Sequence, residues 1–158
     1  MKKKVHIVGT GTIGEPLIGL FCDFKEQLGI DEVSFHKRSP LTYDRSKVQD
    51  LINRGAKLVV DNNRWDDFHE IGLEPSTTTE EAIYSSDVVI DCTPSGIGHE
   101  NKRKYYSKYD RTDGGIKYKK GFIAQGSEKG FGTPYAYGIN DDVLNGEKFI
   151  QVVSCNTH

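Results

Sequence analysis

Short apolar runs alternate with amphipathic stretches from the first residues of the chain. Lys4–Val8 is a β-rich run that ends in glycine. Thr12–Leu28 then places Ile13, Leu17, Leu20, Phe21, Phe24 and Leu28 at helical spacing, and Gly29 stops it. Glu32–His36 is a second strand, Asp44–Arg54 a second helix closed by Gly55, and Lys57–Val60 a third strand. Residues 64–71 form a short helix or turn. A further helix starts over Thr78–Tyr84, with Glu80 and Glu81 in its first turn, where the helix dipole favours negative charge. Asp87–Asp91 has the continuous apolar centre of a buried strand, 93–98 is a loop, and Glu100–Tyr109 is helical. Phe122–Gln125 and Phe149–Ser154 are the last strands. This alternation predicts an α/β fold with a doubly wound, mostly parallel sheet. Ligands of such sheets sit at the carboxyl ends of the strands. The unusual residues fall there: 9–14, 37–40, 93–98, 125–129 and 154–157. Thr93, opening the loop after the Asp87–Asp91 strand, is a candidate cofactor contact.

Composition adds bounds. The 158 residues suit one domain, 1–158, large enough to bury a core. A formal net charge of −2 gives no overall attraction to nucleic acid or to a membrane surface. Lys102–Lys120 interleaves basic residues with Tyr105, Tyr106, Tyr109 and Tyr118, a mixture that can bind single strands, but it reads better as a solvated face with tyrosines packed on the sheet. Three widely spaced cysteines, Cys22, Cys92 and Cys155, exclude a disulfide framework and a zinc knuckle, and point to the reducing cytoplasm. Lys2–Lys4 precede an apolar run too short for a secretory signal. No run approaches the roughly 20 apolar residues of a membrane helix.

Gly9-Thr10-Gly11-Thr12-Ile13-Gly14 is a GxGxxG turn between a strand and a helix. The first glycine allows the tight turn, the second lets the backbone approach a pyrophosphate, and the third lets helix and strand pack closely. The helix start offers N–H groups and a positive dipole end to phosphates. An NAD-selective site commonly sets an acid at the exit of the second strand, on the ribose 2′-hydroxyl. Here the exit is Lys37-Arg38-Ser39-Pro40, whose cations suit a 2′-phosphate, so NADP is expected to be accepted beside NAD or ahead of it. His36, just before, could touch the adenosine side but reads better as an exposed strand-end histidine.

Free cysteine is usually a small buried hydrophobe, and Cys22 and Cys92 read that way. Cys155 differs, standing between Ser154 and Asn156 just past an apolar strand. A helix beginning there would favour its thiolate.

Four stretches taken together carry a resemblance: Gly9–Gly14; Asp91-Cys-Thr-Pro-Ser-Gly-Ile-Gly98 with Asn101-Lys102; Gln125-Gly-Ser-Glu-Lys129; and Val152-Val-Ser-Cys-Asn-Thr157. In that order they resemble the NAD(P)-binding half of archaeal-type (type II) glyceraldehyde-3-phosphate dehydrogenase. The resemblance implies a phosphorylating aldehyde oxidation with Cys155 as nucleophile. Its thiolate would add to the aldehyde of glyceraldehyde 3-phosphate, hydride would pass to NADP or NAD, and phosphate would release 1,3-bisphosphoglycerate from the thioester. It also implies that Ser154, Asn156 and Thr157 surround the substrate and its phosphates. Thr12 and Ile13 would meet the pyrophosphate, Lys37 and Arg38 would lie near the 2′-phosphate, and Gly126 and Ser127 would lie beside the cofactor.

The chain also departs from that pattern. Val8 replaces a common asparagine, Glu15-Pro16 a basic pair, and His158 a small residue, while Tyr106–Phe122 is longer than in the family. The family's second domain, with its histidine base, has no counterpart here, and a terminal His158 is a poor substitute. The expectation is a domain that binds cofactor weakly and turns over poorly alone. It would be completed by a catalytic domain or split partner chain, and homo-oligomeric when complete. A related semialdehyde or acyl-phosphate reductase and a non-catalytic nucleotide-binding regulatory domain stand as alternatives.

Overall fold

The computed structural model describes residues 3–110 and 119–153. Eight strands form one sheet: β1 (Lys3–Val8), β2 (Ile30–His36), β3 (Lys57–Val60), β4 (Thr77–Thr78), β5 (Val88–Asp91), β6 (Gly121–Ala124), β7 (Thr133–Tyr135) and β8 (Phe149–Val152). The helices are α1 (Gly14–Asp23), α2 (Arg45–Asn53), α3 (Trp65–Glu70), α4 (Thr79–Ser85) and α5 (Ile97–Asn101). The strand order is β4-β3-β2-β1-β5-β6-β8-β7, and every pairing is parallel. Stripped of the edge strands β4 and β7, this is the 3-2-1-4-5-6 order of dinucleotide-binding domains. The order reverses between β1 and β5, and the Gly9–Gly14 turn leaves the sheet there.

Alternate residues of the strands feed two cores. Val5 and Ile7 of β1 pack with Ile18 of α1, Val48 and Leu51 of α2 and Phe68 of α3. Val8 packs on the opposite face with Ile83 of α4, Tyr106, Tyr109 and Phe131. Burial on both faces is what double winding requires, and it explains why the strands read as apolar runs rather than alternations. Phe122 anchors the second core, stacked on Tyr106 at 4.9 Å and on Phe149 at 5.1 Å between ring centroids. The tyrosines of the basic stretch therefore pack on the sheet, Tyr106 and Tyr109 fully; Tyr118 lies outside the described residues.

Two elements differ from expectation. The first helix spans Gly14–Asp23, not Thr12–Leu28. At Phe24 the backbone leaves helical geometry (φ −111°, ψ 22°), and turns carry the chain to Gly29, whose φ of +67° admits it to β2. Phe24 and Leu28, counted as core-facing, are 46% and 53% exposed. Periodicity marks a face and says little about where a helix ends. The Glu100–Tyr109 helix is instead α5 running into a π-helical turn (Lys102–Tyr106) and a 3-10 turn (Ser107–Asp110). The strands β4 and β7 were not foreseen; two and three residues are too few to show a pattern.

Candidate nucleotide-binding site

The three glycines of the turn meet different surroundings. Gly9 holds a φ of +105°, closed to most side chains. A β-carbon on Gly14 would lie 1.9 Å from the Gly9 carbonyl oxygen, so α1 abuts the end of β1 with no room for a methyl group. A β-carbon on Gly11 would meet nothing within 4 Å. Its absence therefore serves no packing need of the protein, and matches a position where a phosphate approaches the backbone. The N-cap of α1 is Ile13, and no side chain caps the helix. The Glu15 N–H donates to the Gly11 carbonyl (3.1 Å), the Leu17 N–H to the Ile13 carbonyl (3.2 Å), and Pro16 has no N–H, so the N–H groups of 12–14 are the ones placed for a ligand or water. Thr12 and Ile13 are exposed at this end.

A cavity of about 750 Å³ opens beside the turn, walled by Gly9, Lys37, Arg38 and Thr93 together with Asp61 and Tyr105. It thus joins the ends of β1, β2 and β5, although Gly11–Gly14 are not part of its wall. Gly126 and Ser127 also lie outside it, on the loop after β6, where the Gly126 carbonyl accepts from Gln151 Nε2 (2.9 Å) and the Ser127 carbonyl from Ser95 Oγ (3.3 Å). Ser154, Cys155, Asn156 and Thr157 lie outside the described residues.

The motif residues after β5 and β6 lock two loops together. Asp91, fully buried, accepts hydrogen bonds from the Thr93 N–H (3.0 Å), the Thr93 hydroxyl, Asn101 Nδ2 (3.0 Å) and the Tyr106 hydroxyl (2.7 Å). Burial and the Asp91 charge hold the Tyr106 phenol well above its ordinary range, so it stays a donor. Glu128, also fully buried, accepts from the N–H groups of Gly96 (2.5 Å) and His99 (2.9 Å) at the start of α5. Gln125 Nε2 donates to the Thr93 carbonyl at 2.8 Å. Asp91→Ala strands these donors in the interior, and should cost about 3 kcal/mol in a urea melt. Asp91→Asn, which keeps an acceptor, should lose less.

Cys92 is buried directly after the end of β5. Burial, with the Asp91 charge added, pushes its thiol up to about 12, so it remains protonated and inert at neutral pH. Cys22 packs against the first core and its thiol is likewise raised by burial.

The exit of β2 is less simple than its sequence. Arg38 is exposed, but Lys37 is buried and its ammonium is 2.7 Å from Asp44. His36 is not an exposed strand end: its side chain is 13% accessible and its Nε2 lies 3.1 Å from Asp61 Oδ1. Asp61, the residue after β3, also accepts from Thr79 Oγ1 at 2.5 Å. The hydrogen bond to His36 outweighs burial and holds the Asp61 carboxyl down to about 2. Thus an acid does stand at this end of the cavity, delivered by β3. The signal was an aspartate directly following a buried run, visible only once β3 is known to neighbour β2.

No family model matches the chain. It is 31% identical over 158 residues to the glyceraldehyde-3-phosphate dehydrogenase of Pyrobaculum islandicum, covering 98% of this chain and 41% of that protein. The enzyme of the same name from Pyrobaculum arsenaticum is 34% identical (98% and 41%), and that from Archaeoglobus fulgidus 32% (99% and 42%). The chain is a relative of archaeal glyceraldehyde-3-phosphate dehydrogenase. It spans about two-fifths of the length of these curated relatives, consistent with their N-terminal domain. Among solved structures, an imine reductase from Pseudomonas sp. superposes with a TM-score of 0.47 at 18% identity, covering 78% of this chain and 32% of that one. No helix among the described residues is long and apolar enough to cross a membrane.

Proposed function

We propose that this chain is the dinucleotide-binding part of a phosphorylating glyceraldehyde-3-phosphate dehydrogenase acting in the cytoplasm. The observation that carries this reading is the Gly9–Gly14 turn at the β1/β5 reversal, with open space over Gly11 and an uncapped helix start behind it. The similarity of the whole chain to archaeal enzymes of that name supports it.

In this reading the backbone of Gly9–Gly14 and the start of α1 at Thr12 and Ile13 hold the pyrophosphate. Thr93, Gly126 and Ser127 border the nicotinamide half, and Lys37 and Arg38 border the adenosine half. When bound, the nicotinamide supplies the hydride acceptor. The Cys155 thiolate adds to the aldehyde carbon of glyceraldehyde 3-phosphate. Once that carbon is oxidised, inorganic phosphate displaces the thiolate and leaves as 1,3-bisphosphoglycerate. Ser154, Asn156 and Thr157 position the substrate and its phosphates. The general base comes from outside these 158 residues, from the region present in the longer relatives or from a partner chain, and the complete enzyme is a homo-oligomer.

Calorimetric titration of the purified chain with NAD and, separately, NADP tests the binding half of this proposal. Saturable binding of either nucleotide, lost on addition of a Gly11 side chain, is the expected result. No binding of either at millimolar concentration sinks it.

A further inference from the structure

The adenosine end of the cavity carries an acid that the β2 exit lacks. Asp61 shares the wall with His36, Lys37 and Arg38. Its two donors, His36 Nε2 and Thr79 Oγ1, both fall on Oδ1. Among the described residues no hydrogen bond forms to Oδ2. The side chain keeps 37% of its surface accessible, so this oxygen can accept from a ligand. The carboxyl stays ionised at any working pH, because its acidity is held near 2.

The charges around it disfavour a second anion. Asp61 also lines an adjoining cavity of about 530 Å³, together with Glu80, Glu81 and Lys104. Three carboxylates there share one ammonium, that of Lys104, which together with the Glu100 carboxylate also lines the nucleotide cavity. On the other side, the Lys37 ammonium is already neutralised by Asp44 at 2.7 Å, so the exposed Arg38 is the cation of the loop. A ribose 2′-hydroxyl can donate to a carboxylate, whereas a 2′-phosphate dianion cannot and is repelled by it.

We infer that Asp61 is the specificity-determining residue of this site, reading the 2′-hydroxyl of the adenosine ribose and selecting NAD over NADP. The inference rests on the dinucleotide reading proposed above. His36 and Thr79 are positioning residues: they fix the Asp61 carboxylate, β2 from one side and α4 from the other.

The test is calorimetric titration of the full chain and its Asp61→Asn variant with NAD and NADP at one ionic strength. Thermal melts should show that the variant is folded. The unsubstituted chain should bind NAD at least about tenfold more tightly than NADP, a difference of about 1.4 kcal/mol. Asp61→Asn should move the ratio at least about tenfold toward NADP. Arg38→Ala, a substitution on the exposed loop, should weaken NADP more than NAD. A preference for NADP in the unsubstituted chain, or a ratio that Asp61→Asn leaves unmoved, overturns the inference while leaving the dinucleotide site standing. Failure of both nucleotides to bind overturns the site and this inference with it.

Discussion

Gly14→Ala should prevent stable folding, whereas Gly11→Ala should leave stability nearly unchanged and remove nucleotide binding. The two substitutions add the same methyl group to the same turn, three residues apart. At Gly14 that carbon would sit 1.9 Å from the Gly9 carbonyl oxygen and 2.8 Å from its carbonyl carbon. Both are backbone atoms of the residue that directly follows β1, so no side-chain rotation relieves the clash. Relief requires moving α1 off the sheet, and α1 carries Ile18, which is wholly buried in the first core. Losing that contact alone costs about 3 kcal/mol or more, a large share of a small domain's stability. At Gly11 the new carbon meets nothing within 4 Å, and the backbone there is not in the positive-φ region, so the protein itself has no objection. The objection comes from the ligand: a methyl group there stands between the backbone N–H groups and a pyrophosphate. Thermal melts and calorimetry on both variants separate these roles. If Gly11→Ala binds NAD and NADP like the unsubstituted chain, the turn is not a phosphate cradle. If Gly14→Ala melts normally, the close approach of α1 to β1 is wrong.

What the sequence could say follows from how local each signal is. The strands β1, β2, β3, β5, β6 and β8 show as apolar runs because a parallel sheet covered on both faces buries residues of a strand on both sides. The glycine turn is legible because its chemistry is confined to six adjacent residues. Lys37 looked like a phosphate ligand because its partner Asp44 arrives seven residues later, through a 3-10 turn (Thr42–Asp44) that no periodicity announces. Asp61 was invisible for a stronger reason: its meaning depends on β3 lying beside β2, which brings it to His36 across 25 residues of chain. Asp91 read as the end of a buried strand, and its role as a shared acceptor needs the π-helical turn that returns Tyr106 to it. The cysteine motif, the most specific feature of the sequence, lies outside the described residues, so its role rests on the resemblance.

Acid should weaken the domain well before its carboxylates titrate, and His6 is the reason. This histidine lies in the middle of β1, between Ser34 of β2 and Val89 of β5, with none of its surface accessible. Nδ1 is 2.8 Å from Ser34 Oγ, while Nε2 is buried with no partner. A proton there would place a charge in the core with nothing to answer it. Burial first, and the nearby His36 second, lower the imidazole from 6.5 to about 3. The unfolded chain therefore takes up a proton near pH 6.5 that the folded chain refuses until near pH 3. Stability from this group is fully present above pH 6.5 and falls as the pH drops between those limits, by up to about 1.4 kcal/mol per unit, or about 5 kcal/mol in all. Asp61, lowered to about 2, loses its contribution in the same direction but only below about pH 4. The interval from pH 6.5 to 4.5 thus belongs to histidine. Urea melts across that interval on the unsubstituted chain and on His6→Leu measure the difference in slope, which holds even if the substitution changes overall stability. A steeper loss in the unsubstituted chain, approaching one proton, is expected. Equal slopes would mean that the folded core accepts the His6 proton, and that the ring is not sealed between β2 and β5.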